Sequence, residues 1–189
     1  MDTKPIPMPG VPVLDAPKFN PREGVIKDLV VKIAEAIAAF EGFYVPNSVA
    51  ARHNNPGNLR KWKGFPSKNG FVEFPSVDVG FQKLKVLISQ YMAGQYTGGK
   101  IPTLTEMMHK YAPSFENDTD KYVDFIAAKV GITKDETFET IVEDRIYEAF
   151  IRSQTSANPT RVSTVHQENK EIANELNGSV QVSKLSNPV

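Results

Sequence analysis

A non-helical segment, residues 43–74, interrupts a chain whose apolar residues otherwise follow a helical period. Before this segment, apolar residues recur every three or four positions between Ile26 and Ile37. This spacing predicts a helix that begins near Glu23 and is ended by Gly42. Residues 43–74 are rich in asparagine, glycine, proline and aromatic residues, which favour turns and short strands. We therefore expect a mainly α protein of the α+β class, with a small β element inside a helical framework.

The β element is predicted from the pair Asn69-Gly70, because both residues adopt the positive φ angles of a tight hairpin turn. Short strands are expected on either side, at about residues 62–66 and 70–74.

Four more helices are predicted downstream from their capping residues. The first is expected to begin at Ser76 and to end before Gly94. The second and the fourth are expected to begin at capping-box patterns, at 103–106 and 133–136. The third is expected to begin at Asn117 or Asp118 and to be ended by Gly131. Pro113 ends the second of the four near Tyr111. The last helix is expected to bury Phe138, Ile141, Val142, Ile146 and Phe150.

The two ends of the chain differ from its middle in composition. Residues 1–22 contain six prolines, which indicates an extended arm. Residues 153–189 are polar and contain no aromatic residue, which is typical of a tail that is mobile alone or ordered by a partner, although a weak helix at 164–177 also fits. The predicted folded domain is therefore residues 23–152.

Several classes of function are disfavoured by what the sequence lacks. It has no cysteine, which excludes disulfides, and its three histidines are scattered, so we expect neither a metal site nor a cofactor. No apolar run approaches the roughly 20 residues that span a membrane. The proline-rich start does not have the pattern of a signal peptide, so an external substrate would require another delivery route.

Charge is unevenly distributed in a chain whose formal net charge is zero. Between Glu41 and Glu73 there are basic residues but no acidic one, whereas six of the eight charged residues at 134–148 are acidic. The basic segment at 52–68 could meet an anionic polymer, or it could face the acidic helix. Five basic residues in a neutral chain make nucleic-acid binding the least favoured explanation, so no nucleic-acid partner is expected.

Glu41 is the first candidate for chemistry. It follows Ile37 by four residues and so continues the apolar stripe to the carboxyl end of the helix. Partial burial and the helix dipole both disfavour a charged carboxylate there, and a protonated carboxyl group is what a general acid at a glycosidic oxygen requires. From spacing alone, a glutamate at the rim of the core that reaches solvent is the more common explanation.

Two further groups carry candidate binding residues. Asn54, Asn55 and Asn58 provide amides suited to sugar hydroxyl and N-acetyl groups, although side chains that cap turns explain them as well. Tyr111 and Asn117 fit a cleft wall, with the tyrosine hydroxyl near the acid or the sugar. A capped connection between helices, with Tyr122 in the core, is the alternative for this second group.

Taken in order, these groups resemble a known pattern. Phe40-Glu41-Gly42 at a helix end precedes Asn-Asn-Pro-Gly-Asn-Leu-Arg at 54–60, then Gly-Phe-x-x-Phe at 70–74 and Tyr-Ala-Pro at 111–113. This order is similar to the lysozyme-like domains of phage-type lytic transglycosylases and virion-associated murein-degrading proteins. The resemblance covers residues 41–131 and implies a helical domain with a small hairpin beside a glycan cleft. It also implies that Glu41 matches the catalytic glutamate, and lysozyme itself uses a glutamate whose pKa is raised by an apolar pocket.

The resemblance implies cleavage of the β-1,4 bond between N-acetylmuramic acid and N-acetylglucosamine in peptidoglycan. With Glu41 as the single acid, a lytic transglycosylase is expected; a second carboxylate would give a hydrolytic muramidase instead. Glu73 lies on the predicted hairpin and is the candidate for that partner or for substrate binding, but strand alternation also allows it to face solvent.

A structural or glycan-binding virion component with weak or no activity is the competing hypothesis. It rests on the arm and the tail, which look like segments that contact other virion proteins. The resemblance further implies a phage-encoded or virion-associated protein that acts in the bacterial periplasm and cell wall.

Overall fold

The computed structural model describes residues 20–113 and 118–157, and these residues form helices with one short hairpin. The elements are α1 (Pro21–Phe40), α2 (Val49–Arg52), β1 (Ser67–Lys68), β2 (Phe71–Val72), α3 (Val77–Met92), α4 (Leu104–Tyr111), α5 (Thr119–Val130) and α6 (Phe138–Ala157). The predicted mainly α, α+β class is thus confirmed. The predicted weak helix at 164–177 lies outside the described residues.

Helix α1 lies at the centre and packs against α3, α5 and α6, while α4 packs against α5. Ile33 and Ile37 on its predicted stripe, and Leu29 beside the stripe, are completely buried. Ala36 and Ala38 are buried as well, and their small side chains allow close approach on more than one face. Helix α1 is therefore buried on several sides, as a helix at the centre of a core must be.

The predicted helix ends agree with the structure at most positions. Ser76 and Asp118 accept hydrogen bonds from the backbone at the starts of α3 and α5. Thr103 and Glu106 form both bonds of a capping box at the start of α4. Helix α1 begins slightly earlier than expected, because the side chain of Asn20 caps it and Pro21 occupies its first turn. Helix α6 continues past Arg152 to Ala157.

The hairpin is shorter than predicted, and the strand expected at 62–66 is wrong. Asn69 and Gly70 form the turn with φ angles of 53° and 83°, which pairs Lys68 with Phe71 and Ser67 with Val72. At the next pair the Glu73 N–H still donates to the Pro66 carbonyl at 3.0 Å, but Pro66 has no N–H to return a bond, and the strands end. Residues 62–65 instead form a turn in which the Phe65 N–H donates to the Trp62 carbonyl at 3.2 Å.

The second capping box, predicted at 133–136, is also wrong. The Thr133 hydroxyl donates to the Glu136 carboxylate, and α6 begins only at Phe138, where the Thr137 hydroxyl accepts from the Thr140 N–H. The cause is tertiary, because Thr137 forms a β-bridge with Thr103 and is held extended beside the start of α4.

Burial on α6 is confined to its first part. Phe138, Ile141 and Val142 are buried as predicted, and Ile146 is partly buried. The prediction that Phe150 lies in the core is wrong, because its side chain is 56% exposed.

Candidate active site

Glu41 is fixed in place by the way α1 ends. It is the C-cap residue, and Gly42 follows in the left-handed conformation with φ 69°. The Phe43 N–H donates to the Ala38 carbonyl at 2.9 Å and the Gly42 N–H donates to the Ala39 carbonyl at 3.2 Å, which closes a Schellman motif. The backbone that carries the glutamate is therefore rigid, and its side chain is half-buried.

Both carboxyl oxygens of Glu41 accept a hydrogen bond. The Asn58 amide donates to Oε2 at 2.8 Å, and the Tyr122 hydroxyl donates to Oε1 at 2.8 Å. Two donors from different parts of the chain set the plane of the carboxyl group. Since a carboxylate has about four lone-pair directions, room remains for a proton or a ligand atom.

The loop that carries Asn58 is held against the hairpin by Asn55. The Asn55 amide donates to the carbonyls of Leu59 and Val72 at 2.9 Å each, and its Oδ1 accepts from the Leu59 N–H at 2.9 Å. The Val72 N–H also donates to the Leu59 carbonyl, at 2.7 Å. Asn58 then adopts a left-handed conformation with φ 47°, and its amide reaches Glu41.

The structure does not support Asn54 and Asn55 as residues that contact substrate. Asn55 is completely buried, and backbone groups occupy its amide. Asn54 donates its amide to the Phe74 carbonyl at 3.0 Å and does not line the cleft described below. Its carbonyl oxygen also lies so near α3 that a Cβ on Gly80 would be 1.9 Å from it, so only glycine fits there.

Tyr122, predicted as a core tyrosine, is also the second partner of the acid. Its ring is completely buried and stacks on Phe40 with centroids 3.8 Å apart. Burial, then the charges of Tyr111 and Glu41, raise the pKa of the Tyr122 hydroxyl far above its ordinary value. The hydroxyl therefore stays protonated and remains a donor to Glu41.

Tyr111 lies on the cleft wall, but its hydroxyl donates to the Gly57 carbonyl at 2.7 Å instead of to Glu41. A Cβ on Gly57 would be 2.6 Å from this hydroxyl, which explains the glycine in the loop. Burial and the charge of Glu41 raise the pKa of Tyr111 well above its ordinary value. This tyrosine thus braces the loop next to the acid.

Glu41, Gly57, Asn58 and Tyr111 line a cleft of about 340 Å³. Its lining consists of Glu41, the loop at 57–61, Phe71, Leu87, Tyr91, Tyr111 and Ala112. Glu41 is the single carboxylate among the described residues that line it, and Arg60 and Lys61 are its cationic residues.

Glu73, the candidate second carboxylate, is not brought to this cleft. It is half-buried and follows the end of β2. Asn117 lies outside the described residues.

The described residues also provide information on metal sites and on membrane-spanning helices. No cluster of three or more histidine, cysteine or acidic residues in this part of the chain has the arrangement of a metal site. None of the helices in the described ranges is both long and apolar enough to cross a membrane.

Comparison with known proteins gives one distant similarity. The chain is 25% identical over 118 residues to Protein P5 of Pseudoalteromonas phage PM2, which covers 57% of this chain and 71% of that protein. No protein-family model and no solved structure matches the chain. The chain is therefore similar to a bacteriophage protein whose name states no activity.

Proposed function

We propose that this protein cleaves the β-1,4 bond between N-acetylmuramic acid and N-acetylglucosamine in peptidoglycan, with Glu41 as the acid. The observation that carries the proposal is a half-buried carboxyl group, held by two hydrogen bonds, that lines a cleft. A fixed carboxyl group in a partly water-excluded cleft is the main requirement for proton donation to a glycosidic oxygen.

In the proposed first step, protonated Glu41 gives its proton to the leaving oxygen while the bond from that oxygen to the anomeric carbon breaks. The resulting Glu41 carboxylate accepts hydrogen bonds from Asn58 and Tyr122. Such donors become stronger as negative charge develops, so they stabilise the transition state more than the starting state.

In the second step, the Glu41 carboxylate removes the proton from the 6-hydroxyl of the muramic acid. That oxygen attacks the anomeric carbon of the same sugar and gives a 1,6-anhydro product. The proton taken from the 6-hydroxyl leaves Glu41 protonated, as at the start. This lytic transglycosylase route is favoured because hydrolysis by a glycosidase usually needs a second carboxylate within about 5–9.5 Å. Glu41 is the single carboxylate among the described residues that line the cleft, and Glu73 does not reach it.

The test is digestion of purified murein followed by mass spectrometry of the soluble fragments. We expect 1,6-anhydromuramic acid ends, and a Glu41→Gln variant is expected to lose at least about 100-fold in rate, because amides do not donate this proton. Glu73→Gln is the matched control and should keep the parent rate. Reducing muramic acid ends without anhydro ends would support a hydrolytic muramidase, and unchanged activity of Glu41→Gln would exclude Glu41 as the acid.

The similarity to a phage protein supports a second proposal, that the protein is a virion component acting on the murein of the bacterial periplasm. Other virion proteins would then contact the arm and the tail. In the non-catalytic version of this idea, the cleft only binds glycan. Proteomics of purified particles tests the location. If the Glu41→Gln variant binds murein and the parent protein does not cleave it, a function in glycan binding alone would be favoured.

A further inference from the structure

A second depression lies directly beside the cleft and shares Lys61 with it. Its volume is about 380 Å³, and it is lined by Lys61, Trp62, Lys63, Phe65 and Ser67. The Lys83 ammonium lies 5.9 Å from the centroid of the Trp62 ring and 5.8 Å from that of Phe65. We call this region the lysine–tryptophan depression.

The lysines of this region belong to or lie near the basic segment, which could either meet an anionic polymer or face the acidic helix α6. No ion pair joins Lys61, Lys63 or Lys83 to α6 within the part of the chain that the structure describes. Two charged residues of α6 instead pair with α1: Glu139 with Arg22, and Arg145 with Asp28 at 3.3 Å. The charges of these three lysines are therefore available to an anionic ligand.

The aromatic rings give Lys83 a defined position. An ammonium group within about 6 Å of two ring centroids is attracted by both π faces. Lys61 and Lys63 are exposed residues of the same depression, and Lys83 lies against two of its aromatic rings, so three cationic side chains lie in it or next to it. A ligand with more than one carboxylate matches such a site better than a neutral sugar does.

From this arrangement we infer that the lysine–tryptophan depression binds the carboxylates of the peptide stem on the glycan strand. The inference rests on the proposed function, because it places the glycan in the cleft next to Glu41. The stem branches from muramic acid, so a strand in the cleft would direct a stem sideways, and the adjoining depression with Lys61 at its edge is where such a branch would lie. The protein thereby selects peptide-bearing strands over bare strands.

The test measures binding with the Glu41→Gln protein, so that cleavage does not interfere. The probes are labelled soluble glycan strands with their stems, and the same strands stripped of stems by an amidase. We expect tighter binding of stem-bearing strands, with a preference that weakens as salt rises. The double variant Lys63→Gln with Lys83→Gln should reduce that preference about fivefold. An exposed charge pair raises binding affinity by a factor of up to about five.

The matched control is Lys27→Gln with Lys32→Gln, which removes the same charge from the exposed lysines of α1. This pair should keep the preference. Lys63→Glu, a single change at an exposed position, should lower it further and does not depend on the packing of Trp62.

Equal affinity for the two kinds of strand, or a preference that survives both Lys63 variants, would overturn the inference. Cleavage of murein by the parent protein is measured separately. Cleavage without a stem preference would reject this inference alone, whereas a stem preference without cleavage would reject only the proposed catalysis.

Discussion

Glu41 and Tyr122 are 81 residues apart in sequence and are joined by a hydrogen bond of 2.8 Å. Phe40 precedes the acid and stacks on the Tyr122 ring, so the same contact between α1 and α5 positions both the carboxyl group and its donor. A hydrogen bond to a charged group contributes more than one between neutral groups. We therefore infer that Tyr122 positions Glu41 and favours its anionic form after proton donation.

Tyr122→Phe tests this role. The ring remains to stack on Phe40, but the donor to Glu41 is lost. We expect the murein cleavage rate to fall about 10- to 100-fold, which corresponds to about 1.5–3 kcal/mol for a hydrogen bond to a charged group. The free energy of unfolding should change by about 1 kcal/mol, measured by urea denaturation.

Tyr111→Phe is the control for that experiment. It removes the bond to the Gly57 carbonyl and leaves both donors to Glu41 in place. A smaller loss of rate is expected. An equal loss for the two variants, or full activity of Tyr122→Phe, would contradict a positioning role for Tyr122.

For single residues, the sequence indicated Glu41 as the candidate acid but did not indicate the residues around it. The apolar stripe and Gly42 are local signals that placed Glu41 at the end of α1, and the resemblance of the motif order then made it the candidate acid. Tyr122 could not be predicted as a partner of Glu41, because its position on the buried stripe of α5 predicts only a core ring, and the direction of its hydroxyl depends on how α5 packs on α1. Asn55 and Asn58 belong to one loop, and only backbone conformation decides that one faces the interior and the other faces Glu41.

At the scale of elements, two identical Thr-x-x-Glu patterns have different outcomes. In the first, Thr103 and Glu106 form a capping box for α4. In the second, Thr133 bonds to the Glu136 side chain and no helix starts there. We expect Thr103→Ala to lower the free energy of unfolding by about 1 kcal/mol, the usual contribution of an N-cap. Thr133→Ala should change it by less than about 0.5 kcal/mol.

Urea denaturation of the two variants checks this difference. Both substitutions remove the same hydroxyl and methyl groups, so side-chain composition does not distinguish them. Equal losses of stability would mean that the Thr133 segment also caps a helix in solution.

Most helix bounds could be predicted because their signals are local. Ser76, Asp118 and Gly131 each act within one turn of the helix that they cap. The errors come from contacts distant in sequence. The bridge between Thr103 and Thr137 holds the chain extended and delays the start of α6. In the hairpin, the turn is the predicted one, and the ladder is shorter because Pro66 limits it.

Across the whole molecule, a row of aromatic rings links four helices around the cleft. Phe40 of α1 stacks on Tyr122 of α5, and Tyr111 of α4 lies 6.4 Å from Tyr122 and 6.3 Å from Tyr91 of α3, centroid to centroid. Burial raises the pKa of all three tyrosines. The folded protein therefore holds them neutral at a pH where the unfolded chain ionises them.

This linkage predicts alkaline unfolding. Because the folded-state pKa values of Tyr111 and Tyr122 lie above the unfolded value of about 10, their contribution to stability is complete below pH 10 and is lost as the pH rises. Each tyrosine that stays neutral lowers the free energy of unfolding by about 1.4 kcal/mol per pH unit above that value. Urea denaturation between pH 9 and about 11.5, with absorbance at 295 nm to count phenolates, measures the slope. The double variant Tyr111→Phe with Tyr122→Phe keeps every lysine, so deprotonation of lysines affects it and the parent equally. Because it lacks the two hydroxyls, its free energy of unfolding should fall less steeply with pH. Parallel slopes would mean that these two hydroxyls already ionise in the folded state.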